Sequence, residues 1–582
     1  MSTDQNKIDL DNSELQNALQ IIQYTRHSLF LTGKAGTGKS TLLRYIASTT
    51  KKKNIILAPT GIAAINVGGS TLHSFFKLPF HPLLPNDSKY NACNIRETLK
   101  YNSEKRKLLR EVELIIIDEI SMVRADIIDF IDKVLRIYCR NMREPFGGKQ
   151  LLLVGDIYQL EPVLKEEDRL LLHPFYSSVF FFGAHVFREM QLVSIELKKV
   201  YRQTDPVFIN ILDHMRTSNV GTADLTLLNQ RVGAELDDNN SHLAITLSTR
   251  RDTADFINEK HLEMLPGEST IFKGNVKGEF PESSFPTPIE LELKTGAQVM
   301  FIKNEYDKRW VNGTLGTIIG FGDDEDGVIY VRTENDIDVD VEREIWSNIR
   351  YRFNEKEQKI EEEEIGTYEQ FPLKLAWAIT VHKSQGLTFN QVKIDFTGGV
   401  FAGGQAYVAL SRCTSLNGIS LKEPLRRDEV FVRNEVINFA RQFNDTQIMK
   451  KALQQSKADK EYHEAVRAFD KGDMQKALDY FFLAIHSRYD IEKPSAKRLI
   501  RRKLNVINSL KEEINRLKKE QKDKEKYLKT LAVEYVMMGK ECEKDHFIDA
   551  AIRNYNKALT LCPDIPEAKR RLKKLSKISK ND

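Results

Sequence analysis

The sequence predicts an α/β protein with two parallel sheets, a small β-barrel inserted into the second, and an all-α region at the C-terminal end. Three observations carry that class. The apolar runs Leu29–Leu31, Asn54–Ala58, Leu114–Ile117 and Leu151–Val154 are short and each ends in a glycine or polar turn, as strands buried on both faces do. Between about Leu291 and Tyr368 the pattern changes to β-type runs separated by Gly/Asp turns. After about Asn444 it is helical throughout. The expected boundaries are 1–190 for the first α/β domain, with a small insertion at about 66–105. The second domain is expected in two parts, 191–294 and 371–440, around the β insertion at 295–370, with the helical region at 441–582.

At 582 residues the chain has length for three to five domains. A net charge of +4 is too small to name a partner. Five cysteines without a CxxC pair fit a reducing compartment and argue against a zinc or iron–sulfur site. The opening residues are polar and no apolar run approaches a membrane span, so a cytoplasmic protein is expected, nucleoid-associated if bacterial.

The strongest signal is Gly33-xxxx-Gly38-Lys39-Ser40, between an apolar strand and a helix that starts at Ser40. Gly33, Gly36 and Gly38 let the amides of the turn face a phosphate at the positive end of that helix, with Ala35, Thr37 and Thr41 in the same cradle. Lys39 has the reach for β- and γ-phosphates, and the Ser40 hydroxyl suits magnesium. Upstream, Gln16 lies on a helix and its two-faced amide matches an adenine edge.

Asp118 and Glu119 stand at the carboxyl end of Leu114–Ile117. After a phosphate loop this is the place for a magnesium-holding carboxylate and a water-polarising one. Thr60 and Gly61 leave the end of Asn54–Ala58 beside the phosphate loop. Thr71, His73, Ser74 and Phe75 supply hydroxyls, an imidazole and a ring that suit a phosphate track with a base-stacking platform. Phe75 and Phe76 suit a hydrophobic core equally well. Thr380, His382, Lys383 and Ser384 are donors suited to a strand's phosphates without reading its bases. Phe80, in a loop stiffened by Pro79 and Pro82, is the expected wedge, with a core-facing loop as the alternative.

Taken in order, GKAGTGKS, APTGIAAINVGGSTLHS, IIIDEISMV, PFGGKQLLLVGDIYQLEPV, VYRQTDPVF, AWAITVHKSQGLTF and AYVALSRCTSL resemble the helicase motifs of the petite-integration-frequency (Pif) family, in subclass B of helicase superfamily 1. The resemblance covers about residues 10–435. It implies two RecA-like motor domains, an SH3-like insertion, and ATP with Mg2+ as cofactors. It also implies 5′-to-3′ movement on single-stranded and forked DNA, with G-quadruplexes or RNA–DNA hybrids as further substrates. By the same resemblance, Gln16 reads adenine, Gln159 senses the γ-phosphate, and Arg202 and Arg412 are the arginines brought by the second motor domain. Gln385 and Gly386 face the nucleotide cleft. Roles in replication, recombination, repair and telomere upkeep come only with the resemblance.

In the tail, Glu461–Ala484 and Gly539–Pro563 look like two tetratricopeptide-type units, with a basic stretch, Ala496–Lys529, between them. Two units fall short of a free-standing solenoid, so packing on the motor or on a protein partner is expected. Two other readings stay open: a translocase that strips proteins or RNA without unwinding, and a non-enzymatic scaffold with ATP as a switch.

Overall fold

The computed structural model describes residues 12–79, 81–203, 205–236, 243–305, 309–322, 327–487 and 494–578. The first sheet has six parallel strands: β1 (Leu29–Gly33), β2 (Asn54–Ala58), β3 (Ser70–Thr71), β4 (Leu114–Ile117), β5 (Gln150–Val154) and β6 (Val193–Leu197). Their order is β3-β2-β4-β5-β1-β6. β1, β4 and β5 are buried at every position, which is why they read as unbroken apolar runs. Since β5 separates β1 from β4, the glycine turn after β1 and the acidic pair after β4 flank the Gly155–Asp156 turn.

The second sheet orders four parallel strands as Ala378–Thr380, Ile245–Ser248, Val392–Asp395 and Ile419–Leu421. Helices Pro206–Arg216 and Gln405–Leu410 pack in its core through Phe208, Ile211, Val408 and Leu410.

The β insertion is larger than 295–370. Its strands run from Thr270 to Leu375 and form three antiparallel sheets of five, two and three strands. Phe301, Trp310, Val331 and Phe371 fill its core. The long hairpin Glu344–Asn354/Lys359–Gln370 leaves that body and seats Tyr351 and Phe353 in the core of the first domain. Nothing local in the sequence of that hairpin says which body its buried face meets. The expected small insertion at 66–105 likewise adds Leu83, Tyr90, Ile95 and Tyr101 to the first core.

The helical region divides. Helix Thr446–Asp470 belongs with the motor: Ala452 is buried among Leu15, Ile21 and Leu43, and the Ser456 hydroxyl donates to the Gln20 carbonyl. Helix Met474–Ser487 packs against it. A separate compact unit, described by itself, holds helices Pro494–Lys544, Ile548–Leu561 and Pro566–Ile578. There Gly539 lets the first two helices approach closely, since a Cβ would stand 2.6 Å from the Tyr555 ring. Tyr555 and Arg571 both donate to Glu543 (3.0 and 2.7 Å).

Candidate nucleotide-binding cleft

The glycine turn adopts the conformation its residues permit. Gly36 and Gly38 have φ of 78° and 82°, a region that L side chains avoid. A Cβ on Gly36 would lie 2.4 Å from the Cβ of Arg202, so that arginine from the second domain packs directly on the turn. The turn borders a cavity of about 630 Å³, lined among others by Lys39, Asp118, Glu119, Gln159, Arg202 and Arg412. Ala35, Gly36, Thr37, Gly38, Ser40, Thr41 and Gly386 line it too. The six residues expected to do the chemistry therefore share one space.

Lys39 donates to the carbonyls of Gly33 and Lys34 (2.8 and 3.0 Å). Burial lowers its pKa, opposed by Asp156 and then Glu119. Burial raises the Asp118 carboxyl, against the amide of Glu119, which donates to Asp118 Oδ1 at 2.9 Å. Glu119 has φ of 49° and is pushed up to about 7 by burial and by Asp118 beside it. The Gln385 amide, from the second sheet, donates to both Glu119 Oε2 (3.1 Å) and Gln159 Oε1 (3.2 Å). One side chain thus ties the acidic residue and the polar sensor position to the opposite domain.

The two arginines are held differently. Arg202 donates through Nη2 to the Gly386 carbonyl (3.3 Å), while its buried Nη1 has no acceptor among the described residues. Arg412 is 1% exposed and fixed on the carbonyls of Val408, Ser384 and Leu387. Burial, with Arg202 alongside, pulls Arg412 down to about 9. These groups fit a magnesium–nucleotide. Lys39 and Arg202 bring cations to the same cavity, and Asp118 and the exposed Ser40 offer the hard oxygens magnesium prefers. Gln16 lies exposed on the helix Ser13–Tyr24, and Leu15 of that helix lines the same cavity.

Four contacts were not foreseen. The Tyr407 hydroxyl accepts from the Ala35 amide of the turn (3.1 Å), and Lys34 pairs with Asp213 of the second domain. Arg216, 4% exposed, donates to Asp156 (3.0 Å) and Glu196 (2.8 Å) across the domains. Asp156 was visible as the polar end of β5. Arg216 sits in an ordinary amphipathic helix, where the sequence carries no signal.

The expected strand-contacting residues are placed unevenly. Thr60, Ser74 and Lys383 are exposed, and Lys383 makes no ion pair among the described residues. Gly61 sits close under Ser284 of the insertion. The Thr60, Thr71 and Thr380 hydroxyls accept from the amides of Ala63, Ser74 and Lys383. Burial lowers the pKa of His73 and His382, which makes them neutral donors rather than cations. Two expectations are corrected. Ser384 is fully buried and its hydroxyl donates to the Val381 carbonyl (2.8 Å), so that hydroxyl turns inward. Phe75 is 4% exposed in the first core, edge-on to Phe76, and is a packing residue. Phe80 lies outside the described residues.

Two parallel sheets, with a phosphate loop on one and two arginines delivered to it by the other, define a two-domain P-loop architecture. The sequence profile described as PIF1-like helicase matches residues 8–224. An ATP-dependent DNA helicase PIF1 of Rattus norvegicus is 35% identical over 415 residues, 70% of this chain and 60% of that protein. ATP-dependent DNA helicase Pif1 of Bdellovibrio bacteriovorus is 32% identical over 436 residues, covering 91% of its length. Among solved structures, Bacteroides Pif1 in complex with ADP-AlF4 overlays with a TM-score of 0.67 at 40% identity, over 75% of this chain and 97% of that one. Bacteroides Pif1 bound to ssDNA, 41% identical over 74% and 96% of the two chains, gives 0.54. The chain belongs to the Pif1-like helicase family. It spans about 60% of the length of the rat relative it matches. Among the described residues no helix is long and apolar enough to cross a membrane.

Proposed function

We propose that this chain is an ATP-driven DNA helicase that moves along a single strand and opens duplex ahead of it. The observation that carries the reading is the convergence of Lys39, Asp118, Glu119, Arg202 and Arg412 on one cavity between the two sheets, where Arg202 Nη1 has no acceptor among the described residues. A triphosphate supplies the acceptor. Lys39 leaves its two carbonyls for the phosphates, and Ser40 and Asp118 would hold magnesium, which would neutralise phosphate charge there. Glu119 takes the proton of the attacking water, and Gln159 orients on the γ-phosphate. Arg202 and Arg412 offset charge that develops on the transferred group, so turnover requires the second domain to be in place. Loss of the γ-phosphate removes what both arginines hold, Gln385 loosens from Glu119 and Gln159, and the sheets separate.

Thr60, Gly61, Thr71, His73, Ser74, Thr380, His382 and Lys383 are proposed to touch the strand through backbone and hydroxyl, imidazole or ammonium donors, which favours movement on any sequence. Relatives solved with ssDNA and with forked dsDNA support DNA as the track, and 5′-to-3′ polarity follows the family resemblance. The test is strand displacement on forks with either a 5′ or a 3′ loading tail, run with the parent and Glu119→Gln. The parent should open only the 5′-tailed fork. Glu119→Gln should bind ATP and oligo-dT normally and turn over about 10²–10⁴-fold more slowly. Unchanged turnover in the variant removes the assigned base, and an ATP-independent signal removes the helicase.

A further inference from the structure

A second cavity, of about 390 Å³, lies where helix Ser103–Glu111 and the Leu72–Phe76 turn meet strand Glu344–Asn354. It shares no lining residue with the nucleotide cleft. Lys77, Lys100, Lys105, Arg350 and Arg352 line it, against two carboxylates, Glu104 and Glu363. Glu104 is taken by Arg352 (3.3 Å) and Arg350 reaches out to Glu279 (3.0 Å). Lys77 donates to the Leu99 carbonyl at 3.4 Å and stands 5.8 Å from the centre of the Tyr101 ring. Lys105 is the frustrated member. Its ammonium rests 3.1 Å from the centre of the Phe75 ring and has neither a carboxylate nor a carbonyl partner among the described residues. Burial, then Arg350, then Lys77 push its pKa well down. A lysine kept among other cations with a ring as its only support costs stability unless something returns negative charge to it. Ser70 and Ser74 also line this cavity, so hydroxyl-bearing residues accompany the cations.

We propose that this cavity is a phosphate-binding site distinct from the nucleotide cleft, in which Lys105 and Arg350 grip the oxygens of one or two phosphate groups. The volume admits a short polyphosphate or two consecutive backbone phosphates, and the mixture of lysine and arginine suits tetrahedral oxyanions. The phosphate comes either from a nucleic-acid strand or from a free phosphate chain. The strand source rests on the DNA reading above, which DNA-stimulated ATP turnover of the parent protein tests by itself.

The experiment uses the full chain with its nucleotide cleft saturated by Mg·ADP. Inorganic tripolyphosphate is titrated calorimetrically into the parent and into Lys105→Met/Arg350→Gln, in which the methionine keeps the packing on Phe75. In parallel, oligo-dT affinity is measured across a salt series. A free-phosphate site shows one tripolyphosphate site, weakened at least tenfold in the double variant, with the dT salt slope unchanged. A strand site shows the log–log salt slope falling by about 0.7 per phosphate lost, roughly 0.7–1.4 in all. Unchanged melting temperature and DNA-independent ATP turnover establish that the variant is folded. If it is not, Lys105→Arg, which retains the charge, must preserve tripolyphosphate binding in a folded protein. Parent and variants alike in both titrations, or no tripolyphosphate binding together with an unaltered slope, overturns the proposal.

Discussion

Arg216→Met removes a buried cation on which two carboxylates of the other domain depend. Asp156 is 1% exposed and receives three contacts from that guanidinium, at 3.0, 3.2 and 3.3 Å. Without it, the Tyr158 amide (3.2 Å) is the one hydrogen-bond donor to that carboxylate left among the described residues. Stranding one member of a buried pair costs about 3–5 kcal/mol, far more than a surface bridge, and part of it is felt between domains because Arg216 lies on Pro206–Arg216 while Asp156 ends β5. The freed carboxylate has a nearby taker: Asp156 is the foremost charge favouring the Lys39 ammonium, and it favours Arg412 as well. A hydrogen bond to a charged group is worth about 1.5–3 kcal/mol, so competition for Lys39 should weaken ATP binding roughly ten- to a hundredfold. Urea unfolding and titration with a fluorescent ATP analogue read the two losses separately. Asp156→Asn in the Arg216→Met background should recover most of both, since it withdraws the stranded charge. Stability within 1 kcal/mol of the parent, with unaltered ATP affinity, would refute the claim that this pair holds Lys39 free for phosphate.

Gly36→Ala places a methyl where the Arg202 Cβ stands and strains a φ of 78°, so ATP turnover should fall about 10³-fold. Turnover within tenfold of the parent argues against Arg202 acting at the turn. Gly539→Leu drives a side chain into the Tyr555 ring and should abolish the helical signal of 494–578 while ATP turnover is unchanged. A truncation after Ser487 should likewise leave a folded motor, whereas one before Thr446 uncovers Leu15, Ile21 and Leu43 and should aggregate. Circular dichroism and size-exclusion chromatography decide both.

The glycine turn and the acidic pair were legible because each lies within a few residues of one strand end, and spacing along the chain fixes their geometry. Arg202 and Arg412 were placed by the order of motifs, since neither lies near the turn in sequence. Asp156–Arg216 and Tyr407–Ala35 were hidden for the complementary reason: a buried cross-domain contact leaves no periodic trace in either partner. Ser384 misled because a serine in a polar motif can cap its own turn as readily as face a ligand, and the Val381 carbonyl is the nearer acceptor. The expectation that the helical tail packs on the motor or on a partner likewise left open which helix does so. Helical periodicity in Thr446–Asp470 reports a buried face and is silent on what buries it.

Closing the cleft also has an electrostatic requirement that the protein's own groups do not meet. Burial and then Arg202 lower the Arg412 guanidinium, and both arginines share the cavity with Lys39, while Glu119 is pushed up to about 7 by burial and Asp118. Like charges thus crowd on both sides, cations from the second domain and carboxylates from the first, and Gln385 is the neutral bridge between them. A magnesium-bound triphosphate answers both at once, anionic toward the arginines and cationic toward Asp118. On the helicase reading proposed above, departure of the γ-phosphate rather than hydrolysis itself would withdraw the anionic half of that answer, so the domains would separate as a consequence of charge rather than of a dedicated spring.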